Sequence, residues 1–446
     1  MSSPRLVPVF PRDPLLARHA DALVAQGFAP DIGSTATVAD DTGAAILVGL
    51  GEREDCDPTS VRVALALAAR ATPADEIIVD TAGIHPGHVQ AAAEGIVLGR
   101  YAFRGGSRHA GWQPSTPSAA WDDGIAVGEA VCLVRDLVNT PPNVMTPEIL
   151  AERIRVLANG DTLTVSIRDE EWLRQEGFGA VLAIGGGSPN RPRLVELDYR
   201  GHNGGVDVCL VGKGVTFDSG GNSLKDADGM MTMKCDMAGA AAVAATLSLL
   251  PRFSPAINVR AVLPLVENMP GSASTRPGDV VTARNALTIE ILNTDFEGRV
   301  ILADALAYAA EAEPDAIVDI ATLTYASVNA LGERTGAVLG DEREIARIRA
   351  AAERSGEPFW PFPMPAYFAE QLDSDVADVK NFPGVKEGRV ISAAHFLRRF
   401  VPESVAWAHL DVAGPAWADK PYELTARGGT GFGVRTLLEY LLDRAH

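Results

Sequence analysis

The chain has 446 residues, with 58 acidic against 39 basic side chains and a formal net charge of −19. At about 100–200 residues per domain, this length predicts two or three domains, each able to bury a full core. An apolar share of 47% and a charged share of 22% argue against intrinsic disorder, and the negative charge argues against DNA or an anionic membrane as default partner, because phosphates would be repelled.

The N-terminus, MSSPRLVPVFPRDPLLARH, carries prolines and charges where a signal peptide needs an apolar stretch. Residues 1–112 mix short apolar runs (44–50, 76–83, 95–103) with helical stretches such as 60–71, an α/β pattern. The segment GWQPSTPSAAW, 111–121, reads as a linker. A helical stretch, 124–139, then stops at TPPNVMTP. Beyond it, strands are predicted at 180–186, 193–200, 206–214, 257–266, 287–295 and 316–324, and helices at 238–250, 300–313 and 434–445. Strands rich in Val and Ile on both faces imply a sheet covered by helices on both sides. The most apolar run, 237–250, is too short and Ala-rich to span a bilayer. The four cysteines are scattered without a C-x-x-C, and three read as buried thiols of a reducing compartment. The expectation is a soluble cytoplasmic protein.

Three clusters could carry chemistry. NTDFEGR, Asn293 to Arg299, follows an apolar strand and precedes a helix. Read as extended chain, it places Asp295, Glu297 and Arg299 on one face at the carboxyl end of a strand, where sites gather in α/β sheets. A solvated strand end with an ion pair has the same pattern. VGKGVTFDSGGNSLK, Val211 to Lys225, places Lys213 directly after a fully apolar strand. Burial there would strip the proton from the amine and free it to bind a metal, although a glycine-rich turn with a snorkelling lysine fits the same residues. The third is Asp236 in MKCDMAGAA, a position where a lone Asp is usually an N-cap.

Taken together, Asp218, Asp236, Asp295 and Glu297 carry four negative charges, which two divalent cations would balance. Unpaired, such a cluster would cost several kcal/mol per buried ion. Two metals roughly 3.5–4 Å apart suit hydrolysis, and oxygen ligands with one amine suit Zn, Mn or Mg. Competing motifs fail. Asp207 stands where a P-loop needs its first Gly, there is no H-E-x-x-H, and His85 and His88 lie in a turn-forming context. Ser219, in Asp218-Ser219-Gly220-Gly221, mimics a serine-protease nucleophile without an obvious His–Asp pair.

These residues resemble the leucyl aminopeptidase (cytosol aminopeptidase) family over nearly the whole chain. NTDFEGR looks like its signature NTDAEGR, and VGKGVTFDSGG, MKCDMAGAAAV, SDVADVKN and WAHLDVAG look like its other blocks. The resemblance implies a small N-terminal α/β domain (1–118), a linker helix (119–139) and a larger α/β catalytic domain (140–446) with a mixed central sheet flanked by helices. It implies that Lys213 and Asp236 hold the tighter metal, that Asp218 and Glu297 bridge both, and that Asp295 binds the more exchangeable one. Lys225 would polarise the scissile carbonyl, and Arg299 would hold a bicarbonate ion, the family's general base. The expected cofactors are two divalent ions, Zn or Mn, and bicarbonate. The expected activity is removal of N-terminal residues from short peptides through a metal-bridged hydroxide, by a homohexamer with neither membrane nor nucleic-acid partner.

Met233, Asn293, Phe296, Thr322 and Tyr325 would line the substrate pockets. Phe296 replaces the signature's Ala and Tyr325 a Gly of the usual TLTGA block, while Met231 and Thr232 replace residues that are usually acidic. The two added rings are expected to narrow the pockets and shift specificity away from broad Leu preference. Alternatively, they turn outwards to a subunit contact. The competing functions are a serine hydrolase using Ser219, a DNA-binding or regulatory family member, and a degenerate, inactive one.

Overall fold

The structure, a computed structural model, describes residues 3–40, 43–104, 106–107, 109–157 and 161–445. It is a mixed α/β protein that divides into two compact units, Met1–Leu133 with Ala418–Arg427, and Val134–Trp417 with Gly428–His446.

In the first unit, strands β1 (Arg5–Val9), β2 (Thr35–Asp40), β3 (Gly43–Gly49), β4 (Ile77–Val79) and β5 (Trp112–Pro114) form a sheet ordered β2-β3-β1-β4-β5. Only the β2/β3 pair is antiparallel. Helices α1 (Pro58–Ala71) and α2 (Val89–Gly99) pack together in its core. The segment expected to be a linker therefore supplies a sheet strand, β5, and helix α3 (Ala119–Asn139) starts within it.

The second unit is built on a nine-stranded sheet. Its strands, with a separate small sheet included in the numbering, are β6 (Leu163–Arg168), β7 (Arg193–Arg200), β8 (Val208–Gly212), β9 (Gly214–Asp218), β10 (Asn258–Asn268), β11 (Asp279–Thr282), β12 (Thr288–Ile291), β13 (Ala316–Ala321), β14 (Gly336–Gly340), β15 (Phe359–Pro361), β16 (Val379–Lys380) and β17 (Ala406–Asp411). The large sheet runs β15-β14-β17-β13-β8-β10-β7-β6, with β9 also paired to β10. Its centre is parallel, and the β14/β17, β10/β7 and β7/β6 pairs are antiparallel. Strands β11, β12 and β16 form the small sheet.

The run 180–186, expected as a strand, is helix α4 (Gly179–Gly185). A short apolar run does not distinguish the two conformations. Its buried residues Ala180, Val181 and Ile184 follow a helical spacing, and the Val181 amide donates to Asp304 Oδ2 at 2.8 Å. The other main helices are α5 (Ala238–Phe253), α6 (Glu297–Ala310), α7 (Tyr325–Leu331), α8 (Arg389–Arg398) and α9 (Val434–Arg444). Cys209 and Val211 of β8 belong to the core that α6 fills, whereas Gly212 turns to α5, where a Cβ would lie 2.6 Å from Ala240 Cα. Strand alternation thus directs the next side chain, Lys213, towards α6. The segment Ala227–Phe253 is long and apolar enough to cross a membrane, yet 83% of its most apolar window is buried inside the fold, as in the core helix of a globular unit.

Candidate metal centre

The site lies at the carboxyl ends of the central parallel strands. Strand β10 pairs first with β8 (Val211 opposite Val262) and then with β9 (Gly214 opposite Leu265). At the break between them the Lys213 amide donates to Ile320 O at 3.1 Å, and Lys213 O accepts from the Ala240 amide at 2.9 Å. Lys213 is thereby fixed between β13 and the start of α5. Its Nζ lies 2.7 Å from Asp236 Oδ1, 2.8 Å from Glu297 Oε1 and 3.0 Å from Thr322 O. Gly298 makes this approach possible, since a Cβ there would sit 2.6 Å from Lys213 Nζ.

Strand β9 ends in Asp218, paired with Asn268 of β10. That register brings Asn268 Nδ2 to 2.8 Å from Asp218 Oδ1, which also accepts from the Gly220 amide at 2.8 Å. Gly220, at φ +86°, adopts the left-handed turn that L side chains resist. The turn returns Lys225, whose Nζ lies 2.9 Å from Asp218 Oδ2 and directly against Asp295 Oδ1.

NTDFEGR is not extended throughout. Residues 294–295 form a turn, and Glu297 begins α6. Glu297 and Arg299 are therefore about 200° apart around a helix axis rather than on one strand face. Glu297 turns to Lys213, and Arg299 donates from Nη1 to Asn381 O at 3.0 Å. Nor is Asp236 an N-cap. It precedes α5, whose N-cap position is Met237, and its Oδ1 accepts from Lys213 and from Thr322 Oγ1 at 2.8 Å.

At Lys213 two effects oppose each other. Burial pushes its ammonium down, but Asp236, Glu297 and Asp218 outweigh it and hold the group above its usual value. Burial alone thus does not decide the charge of the amine, because the surrounding carboxylates favour its protonated form. Lys225 behaves in the same way, with burial opposed by Asp218, Glu297 and Asp295. Burial, together with the negative charges of Asp218 and Glu297, raises Asp295 to about 7 against the opposing pull of Lys225. Asp236 is also raised, by burial first, against Lys213. Burial pushes Arg299 down to about 9, still cationic at neutral pH, while Glu297 and Asp411 pull it back up.

The residues fit a divalent metal. Carboxylate oxygens of Asp218, Asp236 and Glu297 lie within 4.8 Å of one another, the one such metal-ligand group among the described residues. Asp236 Oδ2 and Glu297 Oε2 are buried without a hydrogen-bond partner. Two orphaned oxygens in a hard donor set suit Mn, Mg or Zn. Asp295 joins the group through Lys225.

Around this centre, Thr322 is buried and contacts the Lys213–Asp236 pair, and Met233 and Asn293 are half-buried. Phe296 packs edge-on against Phe382 with ring centroids 4.9 Å apart, and Tyr325 is 77% exposed at the start of α7. Ser219 Oγ donates to Asn268 O at 2.7 Å and accepts from the Gly221 amide at 3.2 Å, which ties it to backbone rather than to a histidine.

Two asparagines were missed in the sequence. Asn268 orients Asp218. Asn381 accepts from the Leu292 amide at 2.9 Å and donates to Asn293 O at 2.7 Å, holding the acidic turn in place. For Asn268, the usable signal was its register opposite Asp218.

Sequence models of the cytosol aminopeptidase family match this chain, the catalytic domain over residues 132–438 and the N-terminal domain over residues 15–105. A probable cytosol aminopeptidase of Nocardia farcinica is 44% identical over 418 residues, covering 90% of this chain and 82% of its own. One of Mycobacterium bovis is 40% identical, covering 95% and 87%. Among solved structures, the bottromycin maturation enzyme BotP in complex with Mn superposes with a TM-score of 0.93 at 40% identity, with full coverage of both chains. The cytosol aminopeptidase from Coxiella burnetii gives 0.89 at 31% identity, covering 100% and 98%. The chain accordingly belongs to the cytosol aminopeptidase family and is a metal-dependent exopeptidase of the leucyl aminopeptidase type.

Proposed function

We propose that the chain removes N-terminal residues from short peptides in the cytoplasm, as a homohexamer, with two divalent cations (Zn or Mn) and a bicarbonate ion. The observation that carries this reading is the pair of ammonium groups, Lys213 and Lys225, lodged among four carboxylates of which two keep an orphaned buried oxygen. Lys213, Asp218, Asp236, Asp295 and Glu297 would hold the cations. When bound, these ions supply Lewis acidity and an activated water.

The chain's own groups do the rest. Lys225, with 17% of its side chain exposed, presents a fixed positive charge where a scissile carbonyl oxygen gains negative charge. Arg299 uses only Nη1, towards Asn381, among the described residues. A guanidinium carries five N–H donors, so the remainder would suit a planar anion such as bicarbonate, which when bound would supply a general base. Asn381 and Asn268 keep these groups in position, so little reorganisation accompanies the reaction. Phe296 and Tyr325 reshape the second- and first-residue pockets and move specificity away from broad Leu preference.

The test is hydrolysis of dipeptides and aminoacyl-p-nitroanilides before and after 1,10-phenanthroline, with Mn or Zn restored, on wild type, Phe296→Ala and Tyr325→Gly. The expected result is loss with chelator, recovery with metal and altered side-chain profiles in the variants. Full activity in chelator combined with inactivation by a sulfonyl fluoride would move the assignment to Ser219. Identical profiles in all three proteins would remove the pocket claim alone.

A further inference from the structure

Helix α8 opens with Arg389, a residue not assigned to the metal centre. Its guanidinium carbon lies 5.5 Å from the Phe296 ring centroid and 5.4 Å from that of Phe382. The Arg299 guanidinium carbon lies 4.7 Å from the same Phe296 ring. Two cations therefore share one aromatic ring, and Phe296 is the chain neighbour of both Asp295 and Glu297.

Arg389 is incompletely used. Among the described residues its Nε donates to Val385 O at 3.0 Å, and its Nη atoms reach no carboxylate. Two like charges on one ring repel each other. An anion would relieve the repulsion. Contact with two rings and the Nε bond to Val385 O restrain the guanidinium, so less rotamer freedom remains to be lost when a carboxylate docks on its fork.

We infer that Arg389, held by Phe296 and Phe382, recognises the free C-terminal carboxylate of a dipeptide substrate and so makes the enzyme favour dipeptides over longer or C-terminally blocked peptides. This rests on the aminopeptidase reading, in which the substrate's amino end lies at the acidic cluster. Two extended residues span about 7 Å. Phe296 stands between Asp295 and Glu297 in the chain, so the cation against its ring borders the acidic cluster. A longer peptide presents an uncharged amide at this point and gains nothing from the fork.

The experiment compares Leu-Gly, Leu-Gly-amide and leucine p-nitroanilide on the Mn-loaded full chain as wild type, Arg389→Gln and Arg389→Lys, with thermal unfolding as a check on folding. Wild type should show a KM for Leu-Gly about tenfold below that for the amide, equivalent to ~1.4 kcal/mol. Arg389→Gln should abolish this ratio, and Arg389→Lys should restore part of it. The ratio is internal to each protein, so a general loss of activity cancels. Equal acid-to-amide ratios in wild type and Arg389→Gln overturn the inference. So does a variant whose only change is its dependence on added bicarbonate, which would make Arg389 a holder of that ion. The p-nitroanilide, which has no second residue, reports the aminopeptidase reading separately.

Discussion

Replacing Lys213 by Met removes the one cation touching both Asp236 and Glu297 while nearly preserving side-chain volume. In metal-free protein the two carboxylates are then buried without a counter-charge. Breaking a buried pair in this way typically costs about 3–5 kcal/mol. An independent limit agrees. A stranded carboxyl can take up a proton, and neutralising one with an ordinary value near 4 costs about 4 kcal/mol at pH 7. At roughly 2–4 °C per kcal/mol for a large domain, the apparent Tm in EDTA should fall by roughly 6–20 °C. The same reasoning sets the pH dependence. At pH 5 the proton-uptake limit shrinks to about 1.4 kcal/mol per carboxyl, so the gap between variant and wild type should narrow markedly. Thermal unfolding by circular dichroism at the two pH values is the assay. An unchanged Tm at pH 7, or an equal loss at both, would refute the claim that Lys213 serves as counter-charge to these acids.

Three other changes test separate parts of the structure. Gly298→Ala places a methyl 2.5 Å from Lys213 Cε, and this overpacking should cost about 1–3 kcal/mol and depress peptidase activity. Ser219→Ala removes the bond to Asn268 O and the acceptor of the Gly221 amide, so stability should drop by about 1–3 kcal/mol while kcat/KM stays within a few-fold. His409 is fully buried, with Nδ1 2.5 Å from Asp319 Oδ1. Burial pushes its imidazole down, but Asp319 and Asp411 outweigh burial and Arg299 and raise it above 6.5. The stabilisation from this pair is therefore complete below pH 6.5 and lost as pH rises through the higher folded value. The wild-type Tm should decline across that interval, and that of His409→Gln should decline less.

The strands with Val and Ile on both faces, β8 and β13, were legible because full burial leaves an unbroken apolar run. The run 180–186 was not, because its neighbours decide its form: Asp304 reaches across 123 positions to hold the Val181 amide. The acidic residues and Lys213 were also visible, since charge next to apolar strands is conspicuous. Their protonation was not, because it depends on which carboxylates the fold gathers around the amine. The face shared by Asp295, Glu297 and Arg299 was misread because α6 starts at Glu297, within the motif. Asn381 escaped notice for a different reason. It acts through its backbone oxygen on Arg299 and through its amide on a turn 88 residues away, and neither contact leaves a mark in local sequence.

The lysines lodged among the carboxylates also bear on how such a protein comes into being. Small zinc modules collapse only once their ion arrives, because nothing else neutralises their ligands. Here the polypeptide supplies its own provisional counter-ions. Lys213 and Lys225 lie against the same acids that would hold a metal, so part of the charge such an ion would balance is already met within the chain.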